Sequence, residues 1–241
     1  MTPLRLAWLC LAMTVVAAPA AAGELARFNA AVAKAYINYR GAVFYLRTGN
    51  PAVANVELVQ AADLWRAEVL PFGDSPPDAF AEDPEWPRIL KDIGSRLEKA
   101  KAATQEGLTD PAAEVLAPIR GSLAALRARN QVRIFSDCID EANAAMDALW
   151  VFRKRPPDFA RPAEVNDLRA KTAVTAYLYR RCAEQAPAEV ATAPEFKRII
   201  GGTLESLDRM WAVIDAGDAE TVISILREIR SFDRMLWLQF G

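Results

Sequence analysis

The sequence predicts an all-α protein made of two tandem four-helix units. Three observations point there: apolar residues recur at helical spacing with no run of strand alternation, the stripes are separated by short turns, and the chain repeats itself. Pro84-Glu85-Trp86-Pro87-Arg88-Ile89-Leu90 returns as Pro194-Glu195-Phe196-Lys197-Arg198-Ile199-Ile200. The same offset pairs Leu97 with Leu207, Gly107 with Gly217, Leu116 with Leu226, Ile119-Arg120 with Ile229-Arg230, and Leu126 with Leu236. A repeat of this length is the size of a small domain. Two up-and-down four-helix bundles from an internal duplication are therefore expected, at 23–135 and 136–241. The alternative is a helical-repeat solenoid, whose turns resemble Thr48-Gly49-Asn50 and Ala216-Gly217-Asp218.

In chain order, residues 1–22 read as an export signal. Arg5 is the lone charge, an apolar run spans Leu6 to Val16, and Ala20-Ala21-Ala22 offers small residues for cleavage. The run is too short to span a bilayer, and no later segment approaches that length. A periplasmic or secreted, soluble mature chain is expected. Cys10 lies inside the signal and lacks the small residues that precede a lipid-carrying cysteine.

The first helix carries Leu25, Phe28, Val32, Ala35, Tyr36, Tyr39, Val43 and Leu46 on one stripe. It stops at Gly49-Asn50-Pro51, where Asn50 suits an N-cap and Pro51 a first helical position. The second holds Leu58, Ala61, Ala62, Trp65 and Val69, and ends in the linker 71–77. A third begins at Asp83-Pro84 and ends near Gly107. The fourth opens at Asp110-Pro111, with Val115, Leu116, Ile119, Leu123 and Leu126 inward. Ser136, Asp137, Asp140 and Glu141 mark a fresh helix start, because acids favour a first turn. Equally, helices four and five would fuse into one kinked rod. Helices at about 137–154, 163–185, 194–215 and 218 onward complete the second unit.

Composition removes several functions. The chain has no histidine, which excludes histidine-dependent triads, His-ligated zinc or copper, and axial histidine on haem. Lys+Arg number 29 against 31 Asp+Glu, so no concentrated basic character speaks for nucleic acid. No GxSxG, SxxK or glycine-rich phosphate loop occurs. No cofactor is expected, and a catalytic residue set is not discernible.

Past the signal, two cysteines remain, Cys138 and Cys182. An even count in an exported chain favours a disulfide. Their midpoint falls in the breaker-rich stretch 155–162, so an antiparallel hairpin about that loop brings them level.

Candidate binding residues are few. Tyr36, Tyr39 and Arg40, with Arg47 nearby, would line a pocket for an anionic aromatic ligand through stacking and cation–π contacts. Arg120 and Arg230 are matched across the repeat and would serve an anion or an inter-helix acid. Asp137, Asp140 and Glu141 share a helical face, so three carboxylates would converge on a hard cation. Met146, Met210 and Met235 are the only thioethers left to a haem, and none has a second axial partner in view.

The last 50 or so residues resemble the cytochrome c-prime class of exported four-helix bundles, through the turn Ala216-Gly217-Asp218 and a last helix with Val222, Ile225, Leu226, Ile229 and Phe240. The resemblance implies a bundle and export. In that family the last helix carries CxxCH for haem; here Phe232-Asp233-Arg234-Met235-Leu236 stands at the matching place. The expected role is an exported, non-catalytic module that binds an unknown protein or small molecule. Carriage of a non-covalently held hydrophobic ligand or haem is the alternative, and a carboxylate-dependent enzyme or metal-binding protein the second.

Overall fold

The computed structural model describes residues 19–241, and every regular element among them is helical. The leader expected at 1–22 lies, up to residue 18, outside the described residues. No helix among the described residues is long and apolar enough to cross a membrane.

The first four helices are α1 (Pro19–Arg47), α2 (Pro51–Leu64), α3 (Trp86–Gln105) and α4 (Thr109–Leu116). Asn50 caps α2, its side-chain oxygen accepting the Val53 N–H at 3.3 Å. After α2 the chain widens into a π turn (Trp65–Val69) and tightens into a 3-10 turn (Leu70–Gly73). The fourth expected helix is broken. Pro118 has no N–H to continue the ladder, so α4 stops at Leu116 and α5 runs from Pro118 to Arg129.

Helices four and five of the expectation are not fused. Gln131 has φ +56°, the left-handed conformation that a helix interior cannot hold. The next helix, α6 (Phe135–Trp150), starts four residues later. Then come α7 (Pro162–Gln185), the short α8 (Ala188–Thr192), α9 (Pro194–Ala216) and α10 (Ala219–Phe240). The sequence reading did not foresee α8.

Helix contacts run from α1 to α2, α2 to α3 and α3 to α4, and α4 returns to α1. They run likewise from α6 to α7, α7 to α9 and α9 to α10, and α10 returns to α6. α1 and α10 touch across the seam between the two sets. The buried apolar side chains of both sets join in one continuous core.

The offset seen in the sequence also marks the backbone. Gly107 and Gly217, at φ +75° and +68°, end α3 and α9 in the left-handed conformation that glycine adopts without penalty. Pro77 and Pro187 each precede a short helical turn. Trp86 and Phe196 are both buried at helix starts.

The disulfide Cys138–Cys182 is present, tying the start of α6 to the end of α7 with a Cα–Cα distance of 5.6 Å. Shifted back by the repeat, these positions are Phe28 and Phe72, which meet edge to face with ring centroids 5.4 Å apart. One pair of positions is thus covalently joined in one half and aromatically packed in the other.

Candidate functional site

Two features occupy the seam, a buried polar network and a largely apolar groove. The network begins in the α5–α6 connection. Arg127, with its side chain 8% exposed, donates to Asp137 through Nε at 2.9 Å and Nη2 at 2.5 Å. The other Asp137 oxygen accepts the Ile134 N–H at 2.9 Å. One carboxylate therefore closes the first turn of α6 and fixes the angle at which α6 leaves α5.

Two helical turns back along α5, Arg120 donates through Nε to Asp140 at 2.6 Å and through Nη2 to the Asn143 amide oxygen at 2.5 Å. Asn143 passes the chain on, its amide N–H donating to Asp233 of α10. Asp233 also accepts from the Tyr179 hydroxyl at 2.6 Å and from Arg230 at 2.9 Å. Arg230 in turn reaches Asp147. Burial raises the Asp233 carboxyl above its ordinary range, against the lowering pull of Tyr179, Arg230 and Asn143. Burial and the adjoining Asp233 push the Tyr179 phenol well up. Burial also raises Asp140, with Arg120 opposing.

The guanidiniums of this network lie against indoles. Arg120 sits over Trp237 at 5.3 Å and Arg230 over Trp150 at 5.3 Å. The pair matched by the repeat thus keeps one habit, an arginine stacked on tryptophan, with different acids.

The groove lies on the other side of α1. It encloses about 460 Å³ between α1, α5, the start of α6 and the end of α10. Phe28, Val32, Leu123, Leu126, Phe135 and Phe240 make its walls. Tyr36 and Arg40 stand in it as well, and no Asp or Glu side chain belongs to its lining. Arg40 is 5% exposed. It donates to the main-chain carboxyl oxygen of Gly241, the last residue of the sequence, and, at 3.4 Å, to the backbone oxygen of Gln239, while its Nε–H is buried without an acceptor. Trp237 Nε1–H and Arg230 Nε–H are buried without acceptors too. Unmet donors of this kind cost about 1–3 kcal/mol each. Here three of them fall on the two helices that meet at the seam.

The structure brings Tyr36, Tyr39, Arg40 and Arg120 to this seam. Tyr36 and Arg40 face the groove, while Tyr39 and Arg120 share a smaller hollow of about 240 Å³ with Trp237. The Tyr36 and Tyr39 rings lie 4.8 Å apart, tilted. Burial raises both phenols, Tyr39 to about 12 and Tyr36 further. Arg230 joins Arg120 at a narrow cleft of about 110 Å³ that also holds Asp147 and Asp233. Arg230 does not reach the groove.

The three carboxylates expected to converge on a cation line one hollow but are each paired with arginine instead. Asp137 turns to Arg127, Asp140 to Arg120, and Glu141 to Arg133 and Arg181. An arginine beside each carboxylate supplies the charge a cation would. Among the described residues no three acids or cysteines gather as a metal set. Met146 and Met210 are buried in the core, Met235 packs by Arg198, and none of the three lines the groove.

The sequence reading missed Asn143, Asp233 and Trp237. A signal existed for Asp233. The repeat matches it to Leu123, so an acid stands on the inward stripe where its counterpart is apolar, and such an acid must find buried partners. Asn143 carried no such mark, because its partners come from two other helices.

No family model matches this chain, and neither a curated protein nor a solved structure matches it.

Proposed function

We propose that this chain is an exported, non-catalytic binding module that takes an apolar ligand into the groove at the seam of two duplicated four-helix bundles. One observation carries the reading: a groove of about 460 Å³, within the 300–1,000 Å³ usual for small-ligand sites, with walls of aliphatic and aromatic side chains. The bundles and the duplication are supported by the two closed orders of helix contact and by the matched glycine ends of α3 and α9. Export is supported by the sequence of residues 1–22 and by the disulfide, which persists in oxidising compartments. The carboxylates each stand beside an arginine, and this favours a structural use over acid–base work.

The test is a fluorescence titration with N-phenyl-1-naphthylamine, a neutral apolar dye that brightens out of water. One dye should bind per chain. Ala33→Trp puts an indole in the groove from an exposed position on α1 and should abolish the signal while the helical circular dichroism stays unchanged. Equal binding by A33W, or none by the wild type, would overturn the reading.

A further inference from the structure

Where α1 finishes, four arginines from three helices line the narrow cleft of about 110 Å³: Arg47 of α1, Arg120 of α5, and Arg230 and Arg234 of α10. We propose that this cleft binds one inorganic phosphate ion, held by the Arg47 and Arg234 guanidiniums and Nη1 of Arg120, with its remaining proton donated to Asp147. The site is separate from the apolar groove, whose lining includes none of these four arginines.

The charges in the lining do not balance. Its two acids, Asp147 and Asp233, both accept from Arg230. Arg120 is matched by Asp140, which stands outside the cleft. Arg47 and Arg234, both exposed, form no hydrogen bond or ion pair with any described residue, and residues 1–18 contain no acid that would supply one. Two guanidiniums from different helices therefore converge on one small space with no counter-charge of their own. A dianion placed there cancels both.

The donors suit a tetrahedral oxyanion. A guanidinium is a planar fork of N–H donors that pairs with two oxygens of one phosphate at a time. Arg120 spends Nε on Asp140 and Nη2 on Asn143, which leaves Nη1 without an acceptor. Its stacking on Trp237 at 5.3 Å sets the plane of the fork, so little ordering remains to be done when an anion arrives. The volume is that of a few waters at about 30 Å³ each, room for a single phosphate and no larger polyanion. Asp147 engages Arg230 through Oδ1, and its Oδ2 has no donor. That oxygen can accept the P–OH proton that hydrogen phosphate carries and sulfate lacks.

Isothermal titration calorimetry at low ionic strength and about pH 8, where a phosphate monoester has lost its last proton, tests the proposal. The wild-type chain should take up one phosphate and bind sulfate at least about tenfold more weakly, the range of one hydrogen bond to a charged group. Phenyl phosphate should bind no better than sulfate. Arg47→Gln and Arg234→Gln should each weaken phosphate about tenfold. Both side chains are exposed, so the helical circular dichroism should not change. Arg227→Gln removes the same charge from an exposed position on α10 outside the cleft and should leave the affinity unchanged. A loss in R227Q equal to that in R47Q would reduce the binding to general charge attraction and overturn the proposal. Equal or tighter binding of sulfate or phenyl phosphate, or no binding of phosphate, would overturn it as well.

Discussion

Asp233 is the residue on which the second half's interior turns. Three side chains from α6, α7 and α10 donate to its carboxylate. Asp233→Ala leaves the Tyr179 hydroxyl and the Asn143 amide without this acceptor and Arg230 with Asp147 alone, so it should lower stability by about 3 kcal/mol in urea unfolding. Asp83 behaves differently with pH. Burial would raise its carboxyl, but Arg129, Asn130 and the Glu85 N–H hold it below the ordinary value. A folded-state value below the unfolded value of about 3.9 means that this stability is present above pH 4 and is lost as pH falls through the depressed value. Asp140 and Asp233 are raised, so their contribution has the opposite sign and declines as pH rises from about 4. Unfolding midpoints between pH 2.5 and 4 should fall steeply for the wild type and less steeply for Asp83→Asn. The stripe positions of these helices could be read from sequence, because periodicity reports which side faces inward. The partners of Asp233 could not, since they depend on how four helices are rotated about their axes.

Each helix end has a local cause, and most of these causes are written in single residues. Asn50 and Asp218 cap α2 and α10 as their types suggest. The exceptions have causes as well. The break within α4–α5 follows from Pro118, which the stripe from Val115 to Leu126 conceals. The turn before α6 follows from Gln131, a residue with no special preference for positive φ, held there by the Arg127–Asp137 clasp. Gln131→Gly should therefore be neutral or stabilising by up to about 1 kcal/mol. Gly202 is the reverse case. A Cβ there would stand 2.5 Å from the tip of the half-buried Phe232 ring, so Gly202→Ala should cost about 1 kcal/mol by displacing that ring from the face of α9. Both effects are read in thermal or urea unfolding. The disulfide closes a separation of 44 residues. Reduction, or Cys138→Ala with Cys182→Ala, should lower stability by about 4 kcal/mol on chain-entropy grounds. Phe28 and Phe72 have no such link to lose.

At the scale of the molecule, the helix sets resemble each other in order and differ in the residues they bring to the groove. The repeat shared between them holds packing positions: turn glycines, apolar stripes and helix-opening aromatics. The groove belongs to neither set alone. α1 and α5 supply one wall, the start of α6 and the end of α10 the other, and Arg40 reaches across to the backbone of α10. For that reason the all-α class and the cysteine pairing were open to sequence reading, while the groove was visible only as a cluster of tyrosines and arginines on one helix. The expected cation site failed for a related reason. A shared helical face places Asp137, Asp140 and Glu141 near one another, but arginines from α5, α7 and the α5–α6 connection pair with each of them. The central claim is that the seam groove is the binding site, and amide hydrogen exchange with and without bound naphthylamine dye tests it most directly. Slowed exchange confined to residues 28–40, 123–136 and the end of α10 is the expected result, and protection elsewhere with none in these segments would contradict it.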